Sequence, residues 1–235
     1  MKRLTRIFLF LLLPFLVLCF PKDSFSRNNN AIKIGVASMI TPVDAVKYYQ
    51  EIIDYIGEEI KRPVQMVHRR TYDEMDSMLE RGEVKVAFIC SAPYVKNREK
   101  FGVELLIAPS VNGKATYNSY IIVHKDSPIK SFNELKGKSF ALGDEKALLQ
   151  RAVVVNGGIN MHQLSRFGFL KHYDNIAKAV LNKDFDAGIL KDTIYEKFAK
   201  HGLRSIHTSP PLSSYVFAVN DKLPPETVKK LQAAF

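Results

Sequence analysis

The chain has two cysteines in 235 residues, and that scarcity removes a whole class of architecture. Cys19 lies in the N-terminal apolar segment, so once that segment is removed Cys90 has no intramolecular partner and no disulfide framework forms. The longest apolar run, Ile7 to Phe20, contains Pro14 and is shorter than the roughly 20 residues a membrane-spanning helix needs. No low-complexity tract follows the Asn28–Asn30 linker. The histidines at 68, 124, 162, 201 and 207 lack metal-ligand spacing such as His-x3-His, so no metal is assigned. No cofactor motif is present: "NGGIN" lacks the strand before and helix after that a phosphate loop requires. With no Ser-His-Asp order around an elbow motif either, an enzymatic role has nothing to rest on.

What is present begins with Lys2, Arg3 and Arg6 ahead of the apolar run, with Ser24 and Ser26 after it. This is the pattern of a cleavable secretory signal over residues 1–26, and it predicts export of the mature chain. An uncleaved anchor and a lipoprotein linked through Cys19 are the alternatives; the bulky Leu18 argues against the second. Cleavage takes away four cations and Asp23, lowering the formal charge from +10 to +7. Export argues against nucleic acid as partner, so the basic excess is either a solvated face or a field that attracts small anions.

The mature part alternates strands and helices. "AIKIGVAS" has the apolar alternation of a strand, with Gly35 allowing close approach. "TPVDAVKYYQEIIDYIGEEI" carries Thr41 as cap, Pro42 in the first turn and apolar residues three or four apart. "PVQMVH" predicts a strand, "TYDEMDSMLERG" a helix capped by Thr71 and stopped by Gly82, and "EVKVAFIC" a buried strand. The second half echoes this plan in "KSFALGD", a helix from about Lys146 to Asn156, a helix from Tyr173 to Asn182, and "DFDAGILKD". "SYIIVH" is read as a crossover strand, with a matching return in "SSYVFAVNDKLPPETVKKLQAAF". The fold class is therefore α/β with two similar lobes.

In their order and spacing, "IKIGV", "GEVKVAFICSAPYV", "YNSYIIVHKDSPIKSFNELKGKSFALGD", "IAKAVLNKDFDAGIL", "SPPLSSYVFAV" and "LPPETVKKLQAAF" resemble the periplasmic type 2 solute-binding proteins. Within these, the resemblance is to the phosphate/phosphite/phosphonate-binding branch that serves ABC importers. It implies two α/β lobes, each a mixed sheet flanked by helices, joined by two crossover strands and closing by a hinge on a ligand between them. The expected extents are 31–121 plus 208–235 for lobe 1 and 122–207 for lobe 2. Three places depart from the family pattern. The Ser/Thr-rich loop is shortened and carries Asp144-Glu145-Lys146; His172-Tyr173-Asp174 stands where Ser-His usually precedes the acidic helix start; Lys85 replaces an acidic residue.

Ligands of open α/β sheets sit beyond the carboxyl ends of strands. The candidate ligand-binding residues are accordingly Ser38 and Met39, then Cys90, Ser91 and Tyr94, then Tyr117 and Asn118 at the crossover. The second lobe adds Asp144, Glu145 and Lys146, His172 and Tyr173, and Asp186. "CSAPY" is expected to be a cleft loop. Tyr48, Tyr49 and Tyr55 read as core or rim. Cys90 is either a small buried hydrophobe or a soft ligand, and the same branch includes arsenite-binding sensory proteins with a cleft cysteine. The expectation is a monomer that captures a small anionic solute, an oxyanion of the phosphonate or phosphite kind, for an ABC importer permease. The alternative is a sensory protein signalling to a membrane histidine kinase.

Overall fold

The structure is a computed structural model that describes residues 31–36, 39–111 and 113–235. The expected signal segment, Cys19 and Ser38 lie outside the described residues.

Strand β1 (Ile32–Val36) pairs in parallel with both β2 (Val64–His68) and β3 (Val86–Ile89). Helices α1 (Pro42–Glu59) and α2 (Tyr72–Arg81) make the two connections that parallel pairing demands. Both start where the sequence places a cap: Thr41 accepts from the amide of Asp44 and Thr71 from that of Glu74. Gly82 ends α2 at φ 72°, a left-handed position that glycine reaches without a Cβ penalty. Gly35 leaves room for a side chain rather than a backbone, because a Cβ there would lie 2.3 Å from Met75 Sδ.

"SAPYV" is not a loop. Helix α3 (Ser91–Phe101) begins directly after Cys90, whose extended backbone makes it the N-cap, and Pro93 is tolerated because first-turn amides have no intrahelical acceptor. Strand β4 (Glu104–Ile107) closes one edge of the sheet. The chain leaves through β5 (Thr116–Tyr117) and forms the second sheet from β6 (Ser119–His124), β7 (Ser139–Leu142), β8 (Arg166–Phe169), β9 (Ala187–Lys191) and β10 (Leu203–Thr208). Helices α4 (Leu148–Asn156), α5 (Tyr173–Leu181) and α6 (Asp192–Ala199) flank it. The chain returns through β11 (Leu212–Ser213), adds β12 (Val216–Val219) antiparallel between β3 and β4, and ends on α7 (Pro225–Ala234).

The sheet orders are β2-β1-β3-β12-β4 and β10-β6-β9-β7-β8, each mixing parallel and antiparallel pairs. β6, expected to be the crossover, is the second strand of the second sheet, and the expected 121/122 boundary falls inside it. The two-residue β5–β11 ribbon joins the sheets instead. Asn118 donates its side-chain amide to Ser209 O at 2.7 Å and Ser119 N donates to Ser209 Oγ at 2.9 Å, so the two crossings are tied side by side.

The first sheet is covered by α1 and α7 on one face, through Ile53, Ile56 and Leu231, and by α2 and α3 on the other, around Met75, Leu79 and Val103. The second sheet buries Val153 and Val154 of α4 on one face and Ile176 and Val180 of α5 on the other. The cluster containing α5 continues across the gap to Met39, Tyr72 and Cys90, so the lobes share apolar contact.

Candidate functional site: an interlobe cavity

A cavity of about 500 Å³ opens between the lobes. Val36, Met39, Ile40 and Phe88 line it beyond the carboxyl ends of β1 and β3, and Tyr48 and Tyr49 reach it from α1. Tyr215, in the returning crossover, completes that wall, and the opposite wall is Tyr173, Lys191, Thr193, Ile194 and Lys197. This is the strand-end position at which open α/β sheets hold ligands.

Lys191 is the last residue of β9 and the N-cap of α6. It is half-buried, and its Nζ lies 5.1 Å from the Tyr117 ring centroid and 5.6 Å from that of Tyr215. Desolvation pulls its pKa below the ordinary lysine value, against an opposing pull from Asp192. The Asp192 carboxylate is itself occupied, accepting from Asn118 N at 3.3 Å and Thr193 N at 2.7 Å. Lys197, the other cation on the wall, is paired with Asp174 at 3.0 Å. Among the described residues Lys191 makes no ion pair, and the nearby Asp192 carboxylate moderates its charge without pairing with it.

Behind Lys191 stands a group of buried phenols. Tyr72 and Tyr215 share a hydrogen bond of 3.0 Å between their hydroxyls, and the buried Tyr173 belongs to the same cluster. Burial holds all of these hydroxyls neutral by raising their pKa values. Cys90, 4% exposed, sits among them. Burial pushes its thiol upward, although the Ser91 and Ala92 amides and the Tyr117 hydroxyl polarise the sulfur in the other direction without closing a side-chain cap.

Of the residues expected from the sequence, Met39 and Tyr173 line the cavity, whereas Tyr117 and Cys90 are buried outside its lining, with the Tyr117 ring 5.1 Å from Lys191 Nζ. Tyr173 N donates to Met39 O at 3.1 Å, a main-chain bond between the lobes. The other expected residues are placed elsewhere. Ser91 Oγ donates to Ser213 O at 3.2 Å and so supports the returning crossover. Tyr94 packs on the first-lobe core with Phe101, because α3 turns that side chain inward. Asn118 is used up in tying the crossings. Asp144 is 3% exposed, with Oδ1 accepting from Lys146 N and Oδ2 unpartnered among the described residues, and Glu145 points to solvent. Lys146 Nζ lies 4.0 Å from Asp73 across the lobes. His172 caps α5 with its ring centroid 6.4 Å from that of His68, whose pKa is lowered mainly by burial. Asp186 precedes β9, at the end of the strand opposite Lys191, where it accepts from Ser139 N at 2.8 Å and Ser139 Oγ at 2.7 Å. It braces two strands and does not share the cavity.

Sequence reasoning missed Lys191, Tyr72, Tyr215, Thr193 and Ile194. One signal was available: Lys191 is the first charged residue after the apolar "AGIL", at the carboxyl end of a strand already expected to be buried.

Two mixed five-stranded sheets, two short crossovers and a cavity at the strand ends define a type 2 periplasmic solute-binding fold. Residues 34–235 match the model of the periplasmic substrate-binding proteins of phosphonate ABC transporters, and the chain belongs to that family. It is 25% identical over 209 residues to the phosphate-import protein PhnD of Mycolicibacterium smegmatis, covering 80% of this chain and 65% of that protein. The chain thus spans just under two thirds of that relative's length. The solved PhnD1 of Prochlorococcus marinus in complex with methylphosphonate superposes with a TM-score of 0.78 at 15% identity, covering 87% of this chain and 83% of that one. A Xanthomonas citri protein solved with ATP gives a TM-score of 0.72 at 18% identity over 87% of this chain and 82% of its own. No helix among the described residues is long and apolar enough to cross a membrane.

Proposed function

We propose that the mature protein captures a small anionic solute between its lobes in the periplasm and presents it, as a monomer, to an ABC importer permease. The observation that carries this reading is Lys191: a half-buried cation, facing the cavity, with no ion pair among the described residues. Leaving a charge partly desolvated costs free energy that an incoming anion recovers. Family membership supports the transport role, and the signal pattern over residues 1–26 supports export by a cleaved leader. Contacts made to both walls at once favour the closed arrangement of the lobes, so the solute shifts the hinge population toward it.

The sensory alternative drew on Cys90 as a soft ligand. A thiol buried with a raised pKa stays protonated at neutral pH, which supports a packing role for it.

Isothermal titration of the mature chain with oxyanions tests the reading. Lys191→Met, which keeps chain length and loses the charge, is expected to weaken the tightest anion by roughly 10- to 100-fold, the worth of a charge-assisted hydrogen bond. An unchanged affinity in a variant with an unaltered circular dichroism spectrum refutes it.

A further inference from the structure

The size, wall chemistry and charge of the cavity specify the solute further, on the reading that Lys191 holds an anion. We infer that the solute is an amphiphilic organic monoanion: an aryl or comparably bulky apolar body bearing one sulfonate, carboxylate or phosphonate-ester group.

Size comes first. At about 500 Å³ the cavity falls within the roughly 300–1,000 Å³ typical of sites for drug-sized ligands, and a bare phosphate or methylphosphonate leaves most of it unfilled. A protein that closes over such an ion leaves its walls without dispersion partners.

The walls come second. Tyr49, Phe88 and Tyr215 form a continuous aromatic surface, with ring centroids 5.2 Å apart for Tyr49–Phe88 and 5.3 Å apart for Phe88–Tyr215. Ile194 faces them from α6, and Met39 and Ile40 complete the apolar lining. Such a surface gains from apolar and aromatic area, and its polar groups are neutral phenols that bring no positive charge.

Charge comes third. Lys197 is neutralised by Asp174, and both oxygens of Asp192 accept backbone amides. Asp192 keeps its charge and moderates that of Lys191, so the wall accommodates no more than one negative charge. The second charge of a phosphate dianion faces aromatic carbon, an arrangement that desolvation penalises. The loop between β7 and α4, shortened relative to the family pattern, is absent from the lining and carries Asp144 and Glu145.

The experiment is calorimetric titration of the mature chain with four probes: benzenesulfonate, methanesulfonate, methylphosphonate and inorganic phosphate. Benzenesulfonate is expected to bind at least about tenfold tighter than methanesulfonate, from the extra apolar area buried, and tighter than phosphate. Ile194→Trp, which fills the space for the body and leaves Lys191 in place, is expected to bring benzenesulfonate down toward the methanesulfonate affinity. Methanesulfonate, methylphosphonate or phosphate binding as tightly as benzenesulfonate or tighter overturns the inference while anion capture stands. Benzenesulfonate unaffected by a folded Ile194→Trp variant overturns it as well. Failure of all four probes to bind, or binding indifferent to Lys191→Met, overturns the anion reading itself.

Discussion

The two lobes contribute opposite things to one cavity. The first lobe and its returning crossover supply Val36, Met39, Ile40, Tyr48, Tyr49, Phe88 and Tyr215, and not one charged side chain. The second supplies both lysines of the lining, one already paired and one not. A solute that touches only the first lobe therefore gains apolar burial without charge neutralisation. One that carries both features gains most when the lobes are closed on it. Ligand-driven closure requires this kind of differential contact, since a ligand with equal affinity for open and closed forms shifts nothing. Lobe 2 also contrasts internally: its β9–α6 junction presents a cation, and its β7–α4 junction presents a buried carboxylate and an exposed one.

The contact between lobes is the place to break this division of labour. Met39 of the first lobe lies against Gly143 of the second, and a Cβ on residue 143 would stand 2.2 Å from Met39 Cε. Gly143→Val is expected to displace Met39, prop the lobes apart and weaken the preferred anion by about tenfold or more, because a smaller competent fraction lowers apparent affinity in proportion. Titration calorimetry with small-angle scattering checks it; full affinity with a compact profile refutes the closure argument.

A smaller effect concerns acid at the same junction. Asp76 of α2 has its pKa raised to about 6, first by burial, with Asp73 and Asp144 adding to the rise and Asn97 and Lys96 opposing it. Since the folded value exceeds the unfolded one, the folded state holds this proton more tightly. The stability gained is full below about pH 4 and is lost as pH rises through about 6. The unfolding free energy is expected to fall between pH 5 and pH 7 by on the order of 1–2 kcal/mol after solvent screening. Asp76→Asn should remove that slope, and a variant with the wild-type slope assigns it to another group.

The smallest change is predicted for Cys90. Because its thiol is buried and protonated, Cys90→Ser is expected to alter oxyanion affinity by no more than a few-fold, and native protein should react slowly with disulfide reagents. A loss comparable to that of Lys191→Met would place the sulfur in contact with the solute.

Much of the architecture was legible in the chain. Thr41, Pro42, Thr71 and Gly82 marked helix ends correctly because caps act within a few residues of themselves. Helix α3 was hidden because "SAPYVKNREKF" buries Pro93 and Asn97 in place of a regular apolar stripe, and Asn97 donates to Asp76, 21 positions earlier in the chain. Strand β6 was legible as a strand, but its sheet was not, since pairing with β9 and β10 depends on residues more than 60 positions away.

The site divided along the same line. Local pattern alone determined the α/β class, the strand ends that carry the cavity, and Met39 and Tyr173 as residues beside it. Tertiary structure decided which charges remain unpaired. Asp186 reads like a pocket carboxylate until Ser139 occupies it, and Lys191 reads like any strand-end lysine until the fold half-buries it against the rings of Tyr117 and Tyr215. A side chain's type and position along a strand are local properties. Its partners and its desolvation are set by whatever the rest of the chain folds against it, and those two quantities make Lys191 the charge of this cleft.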